Sequence, residues 1–106
     1  MIEYISGILV DKKSNSCVVD VNGLGYKIII STNTFNQLKK NNQNVKILIY
    51  FSVSENNQSL FGFYEKNEKE LFMLLIGISG IGPKTAINML SAVPAEEFKK
   101  RLILGE

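Results

Sequence analysis

The sequence predicts a small β barrel followed by a short α-helical domain, and three observations support this division. Residues 1–63 contain runs rich in Val, Ile, Phe and Tyr that are separated by polar turns, which is typical of strands. Residues 64–106 carry apolar side chains at helical spacing instead. The dipeptide Asn22-Gly23 lies between two apolar runs, where it favours a β-hairpin. We therefore expect a barrel domain over residues 1–63 and a helical domain over residues 64–106.

The first part of the predicted barrel contains three strands and a helix. The first strand begins over residues 5–10, and the runs CVVDV and GYKIII on either side of Asn22-Gly23 form the second and third strands. The run STNTFNQLKK then predicts a short helix that is capped by Ser31 or Thr32.

Two further strands complete the barrel. The run VKILIYFSVS predicts the fourth strand, ENNQ a polar turn and SLFGFYE the returning fifth strand. A helix between the third and fourth of five strands is typical of the OB fold. The fourth strand places alternate apolar residues on one face, namely Val45, Ile47, Ile49, Phe51 and Val53.

The helical part begins with the run EKNEKELFMLLIGI. Its apolar positions lie at helical spacing on one face, namely Leu71, Leu74, Leu75 and Ile78. Its first turns carry charged residues that we expect to have little to pack against, namely Glu65, Lys66, Glu68, Lys69 and Glu70. Pro83 suits the first position of a second helix, and residues 91–106 predict a third helix whose charges we assign to a solvated surface.

The two helices are joined by the stretch GISGIGPKT, whose glycine density indicates a phosphate site. It does not match a P-loop, because Pro83 stands where that motif needs lysine. It does not match a dinucleotide-binding loop either, because Thr85 replaces the third glycine and a helix precedes the loop in place of a strand.

The stretch fits a helix-hairpin-helix DNA-binding motif. Gly80 and Gly82 permit positive φ and leave no Cβ between the backbone and a ligand. The first N–H groups of the next helix attract an anion, Lys84 adds a positive charge, and Thr85 adds a hydroxyl donor. The alternative is a tight helical turn that binds nothing, with Ile81 as a buried plug.

Composition excludes several classes of protein. The chain has no His and one Cys among its 106 residues, which excludes a Ser-His-Asp triad, a His-ligated zinc site and an internal disulfide. The net charge is only +2, so DNA binding would depend on local geometry. No apolar run reaches transmembrane length. We expect a cytoplasmic protein with no cofactor, no bound metal and no membrane partner.

The order of barrel and hairpin resembles that of the RuvA family, the Holliday-junction-binding subunits of bacterial branch migration complexes. The resemblance rests on VNGLGYKI and on LFGFYEKNEKELFMLLIGISGIGPKTAINML, and it covers essentially all 106 residues. It implies a non-catalytic protein that forms a tetramer, or two tetramers face to face, and holds a four-way DNA junction open during recombination and repair. It also implies that Gly80, Gly82, Lys84 and Thr85 contact DNA phosphates.

The resemblance also gives the turn ENNQ a role. In the family, an acidic pair at this turn points at the junction centre as a pin that repels phosphates and helps to part the strands. Glu55 matches the first acid, but Asn56 departs from the second, so each subunit would bring one pin charge. Because Asn56 and Asn57 tolerate left-handed backbone, turn geometry could matter more than charge. The alternative is that Glu55 is an ordinary solvated turn residue.

The family implies further segments that are absent from these 106 residues. They are a second hairpin motif and a flexibly linked domain that contacts the RuvB motor, and the full-length protein also works with the RuvC resolvase. We therefore expect the sequence to be a fragment of a longer chain. Two alternatives stay open, namely a helix-hairpin-helix DNA repair enzyme and an OB-type interaction module without a DNA role.

Overall fold

The chain order of strands and helices agrees with the predicted order. The structure, a computed structural model, describes residues 1–38 and 40–92, so Lys39 and the predicted third helix lie outside the described residues. Within those ranges the elements are β1 (Tyr4–Lys13), β2 (Ser16–Val21), β3 (Leu24–Ile30), α1 (Thr32–Gln37), β4 (Asn44–Ser54), β5 (Asn57–Phe63), α2 (Lys66–Ile76) and α3 (Pro83–Ala92).

The five strands form a closed barrel in the order β1-β2-β3-β5-β4. All neighbouring pairs are antiparallel except β3 and β5, which run parallel where Ile29 pairs with Phe61. A five-stranded closed barrel followed by helices confirms the predicted OB-like fold. Its interior is filled by the buried apolar side chains Ile5, Leu9, Cys17, Val19, Ile28, Ile30, Leu38, Val45, Ile47 and Ile49.

Two local predictions in the barrel are confirmed by the backbone. Asn22 and Gly23 both have positive φ, +53° and +92°, as a two-residue hairpin turn between β2 and β3 requires. The Asp20 carboxylate accepts a hydrogen bond of 2.7 Å from the Gly23 N–H and supports this turn. Of the two candidate caps of α1, Ser31 is the N-cap, and its Oγ accepts from the Thr34 N–H.

The apolar face predicted for β4 is buried only along its first half. Val45, Ile47 and Ile49 lie in the core, whereas Phe51 is half-buried and Val53 is 60% exposed. The reason is the pairing: β4 contacts β1 only up to Leu48, and beyond that point it pairs with β5 alone. The outer part of the β4–β5 hairpin is therefore a two-stranded ribbon that extends past the barrel wall.

A second apolar cluster joins the barrel to the helices, and it corrects the predicted face of α2. Phe72 is fully buried, and its ring centroid lies 4.9 Å from that of Phe63. Leu74 and Ile78, which the sequence grouped with Leu71 and Leu75 on one apolar face, are 61% and 49% exposed. The buried residues of α2 are Glu68, Leu71, Phe72 and Leu75.

Glu68 was wrongly expected to have little to pack against, since it is only 3% exposed. Its carboxylate oxygens accept hydrogen bonds from Ser31 Oγ at 2.9 and 3.0 Å and from Thr34 Oγ1 at 2.7 Å. Thr34 Oγ1 also accepts from the Tyr64 N–H. A buried carboxylate must be hydrogen-bonded to be tolerated, and this network fixes the first turn of α2 against α1.

Candidate nucleic-acid interface

The hairpin between α2 and α3 is closed by its own backbone. The Ile78 N–H donates to the Leu75 carbonyl at 3.0 Å, and the Ile81 N–H donates to the Ile78 carbonyl at 3.1 Å. Gly80 has a φ of +88°, a conformation that favours glycine. Ile81 is half-buried and packs against the second apolar cluster. The turn is therefore held in place by backbone hydrogen bonds and by the packing of Ile81. A hairpin that binds no ligand would show the same two features.

Gly82 differs from Gly80 in a way that bears on binding. The sequence indicated that both glycines permit positive φ, but the φ of Gly82 is not positive, and a Cβ built on it would meet no atom of the described residues within 4 Å. Among the described residues, neither backbone conformation nor packing requires glycine at this position. The missing side chain leaves the backbone here open to close approach by a ligand.

Helix α3 begins at Pro83, as predicted, immediately after Gly82. The Ala86 N–H donates to the Gly82 carbonyl at 3.0 Å, which is the first bond of the helical ladder. The N–H groups of Lys84 and Thr85 precede it and have no acceptor within the helix. Both residues are exposed, as are Gly80 and Gly82. The four predicted phosphate-binding residues are thus all exposed, in the hairpin and in the first turn of α3, at the positive end of that helix.

The predicted pin residues lie on a different element. Glu55 and Asn56 form the two-residue turn between β4 and β5, and both are exposed at the tip of the ribbon that extends past the barrel. Ser54 Oγ donates to the Asn57 carbonyl across the turn at 3.4 Å. Neither Asn56 nor Asn57 has positive φ, so the turn does not use the left-handed conformation that asparagine tolerates. The paired strands β4 and β5 support the turn, which presents the Glu55 carboxylate to solvent.

A groove beside the hairpin was not predicted. It has a volume of about 400 Å³ and lies between α3 on one side and β3 with the β1–β2 turn on the other. Lys84 reaches it from α3 and Lys27 reaches it from β3. The sequence held no signal for this pairing, because the two lysines are brought together only when the helices dock on the barrel.

Three features of the described part of the chain bear on other kinds of site. No group of three or more His, Cys, Asp or Glu side chains in residues 1–38 and 40–92 is arranged to hold a metal ion. Burial raises the pKa of the Cys17 thiol to about 12, so the thiol is protonated and unreactive at neutral pH. None of the described helices has both the length and the apolar character needed to cross a membrane.

Comparison with known proteins assigns the barrel to a family. Residues 1–62 match the family model described as the RuvA N terminal domain. This match covers α1 and all five strands except Phe63, the last residue of β5, and it ends before α2.

Curated relatives extend the similarity across the hairpin. Proteins named Holliday junction branch migration complex subunit RuvA are 40% identical over 106 residues in Salinibacter ruber and 41% identical over 106 residues in Chloroherpeton thalassium, each covering 100% of this chain. The protein of that name in Shewanella frigidimarina is 44% identical over 98 residues, or 92% of this chain. The chain spans about half the length of these relatives, from 48% to 53%. It therefore belongs to the RuvA family.

Proposed function

We propose that the chain is a structure-specific DNA-binding protein that holds four-way junctions open for branch migration, without catalysing a reaction itself. The observation that carries this proposal is the exposed surface of Gly80, Gly82, Lys84 and Thr85 at the start of α3. Free N–H groups, a helix dipole and one lysine together form a site for a phosphate oxygen. The names of the relatives supply the kind of DNA, a Holliday junction.

The weak net charge of the chain is consistent with this function. A charge of +2 provides little long-range attraction for DNA. Binding would then depend on a few phosphate contacts at fixed positions, which follow backbone shape and are independent of base sequence. Such contacts suit a protein whose junction must move along the DNA while it stays bound.

Glu55, in the turn between β4 and β5, supports the same function. We propose that its carboxylate acts at the crossover, where a negative charge repels phosphates and favours parted strands. Asn56 contributes no charge, so each chain brings a single pin carboxylate. The paired strands β4 and β5 beneath the turn would hold that carboxylate at a constant distance from the barrel.

Assembly and partners complete the proposal. Four chains, or eight as two face-to-face tetramers, would place four phosphate sites and four pins around one junction, and weak sites at fixed spacing act together. The longer proteins of the family would work in the bacterial cytoplasm with the RuvB motor and the RuvC resolvase. The helical part contributes exposed apolar side chains for contacts with further protein surface, namely Met73, Leu74 and Ile78.

Replacing Lys84 by alanine tests the phosphate site directly. We expect weaker binding to a synthetic four-way junction, and a slope of log K against log salt that is flatter by roughly one per engaged chain. Lys84 is exposed, so the fold should be retained. The measurement is a salt series of junction affinities with thermal unfolding alongside.

The matched control for Lys84→Ala is Lys46→Ala, which removes an exposed lysine from β4 on the barrel. If both variants lose the same affinity, the effect comes from overall charge and the hairpin is not the site. If the Lys84 variant keeps both the affinity and the slope of the parent, the phosphate site is elsewhere.

Replacing Glu55 by lysine tests the pin. We expect tighter junction binding by about 1 kcal/mol per new phosphate contact, roughly fivefold, because a positive charge at the crossover attracts the phosphates that Glu55 repels. Affinity for linear duplex should stay unchanged, and unstacking of a fluorescent base analogue at the crossover should decrease. Asp11→Lys is the control, since Asp11 is an exposed acid on β1. Equal gains on duplex and junction would show that Glu55 is an ordinary surface charge.

A further inference from the structure

The groove between α3 and the barrel is lined by polar and positively charged side chains. In the described part of the chain its walls contain two lysines and no Asp or Glu. Among the described residues, neither Lys27 nor Lys84 takes part in an ion pair. The lining residues are Ser14, Asn15, Ser16, Lys27, Ile29, Ile30, Thr32, Lys84, Ile87, Asn88 and Ser91.

The floor and walls of the groove follow from the two elements that border it. On α3, Lys84, Asn88 and Ser91 lie at positions i, i+4 and i+7 and so share one face. On β3, Ile28 points into the barrel, so Lys27 and Ile29 point outward toward α3. Ile29 and Ile87 form the apolar floor, and polar side chains rise on both sides.

Hydrogen bonds hold the walls of this groove at a fixed separation. The Thr32 N–H donates to Ser91 Oγ at 3.1 Å, and Asn33 Nδ2 donates to the Leu90 carbonyl at 2.8 Å, so the C-terminal end of α3 is tied to α1. The Ile30 N–H donates to the Asn15 carbonyl at 3.1 Å and ties the β1–β2 turn to β3. A groove that is already formed in the free protein needs little reorganisation to bind a ligand.

We propose that this groove carries the DNA strand onward from the hairpin and that Lys27 is a second phosphate contact. The inference rests on the proposed function and adds a residue of the barrel to the contact surface. Lys84 belongs both to the hairpin site and to the groove, so a strand bound at the start of α3 enters the groove directly.

The lining also indicates which part of the DNA the groove holds. None of the described side chains that line it is aromatic, so these residues offer no stacking surface for a base. Lysine, serine and asparagine are the residues that contact phosphate and sugar oxygens. The groove thus binds the sugar–phosphate backbone, and its contribution is independent of base sequence.

The test compares Lys27→Ala with Lys46→Ala, two exposed strand lysines, on a synthetic four-way junction. For Lys27→Ala we expect weaker junction binding and a salt slope reduced by roughly one per engaged chain. The affinity ratio of parent to variant should therefore shrink about threefold for each engaged chain between about 50 mM and about 200 mM salt. Lys46→Ala should match the parent, and the double variant Lys27→Ala/Lys84→Ala should lose about two units of slope per engaged chain.

The possible outcomes distinguish failure of this inference from failure of the proposed function. If Lys27→Ala binds like the parent while Lys84→Ala is weakened, the groove is not part of the contact and the hairpin site stands. If Lys27→Ala and Lys46→Ala lose equal affinity, the effect is overall charge and the inference is wrong. If the parent chain binds neither junction nor duplex at low salt, the proposed function fails and the inference fails with it.

Discussion

Replacing Phe72 by alanine is expected to lower the free energy of unfolding by about 3–5 kcal/mol. The side chain is fully buried, and its ring packs against three others at centroid distances of 5.3 Å to Tyr50, 5.7 Å to Phe61 and 4.9 Å to Phe63. These partners come from β4 and β5, so the cavity would open where α2 rests on the barrel. Urea denaturation followed by circular dichroism measures the loss.

Met73→Ala is the matched control for Phe72→Ala, because Met73 is the next residue of α2 and its side chain is 45% exposed. We expect Met73→Ala to lower the free energy of unfolding by less than about 1 kcal/mol, as surface substitutions do. If Phe72→Ala fails to fold, Phe72→Leu gives the same comparison with a smaller cavity. Equal losses of unfolding free energy in the Phe72 and Met73 variants would contradict the orientation of α2 described above.

Replacing Gly82 by alanine is expected to weaken junction binding strongly while leaving the fold as stable as before or more stable. The added Cβ would meet no atom of residues 1–38 and 40–92 within 4 Å, and the φ of Gly82 is not positive. Alanine at a compatible position stabilises by about 0.4–1 kcal/mol through the unfolded state. A phosphate held off the N–H groups would lose about 1.5–3 kcal/mol, roughly 10- to 150-fold in affinity.

Thermal unfolding and junction affinity, measured on the same samples, check the two halves of this expectation. Gly77→Ala is the control, since Gly77 precedes the same hairpin, has a φ of −75° and would place its Cβ no closer than 3.4 Å to a neighbour. A Gly82→Ala variant that binds junctions like the parent would mean that GISGIGPKT is only a turn. A variant that loses stability would mean that Gly82 is required by the fold.

The barrel could be predicted because its rules are local. Alternation along β4 and the Asn22-Gly23 turn depend on residues that are close in sequence, and both patterns led to the correct strands. The hairpin was predictable for the same reason, since Gly80 and Pro83 favour their positions through their own backbone preferences. The roles of Lys84 and Glu55 in binding DNA stay predictions.

Residues distant in the chain decided the remaining features. Leu74 and Phe72 are both apolar, and helical spacing alone allows either side chain to face the barrel. Phe72 is the buried one because its ring packs against Phe61 and Phe63 on β5. Glu68 is buried because Ser31 and Thr34, which lie 37 and 34 residues earlier, hydrogen-bond to its carboxylate. Lys27 and Lys84 line one groove only because the helices pack against the barrel. Local patterns set which elements form, whereas burial and side-chain pairing depend on which elements pack together, since contacts between distant residues exist only in the folded chain.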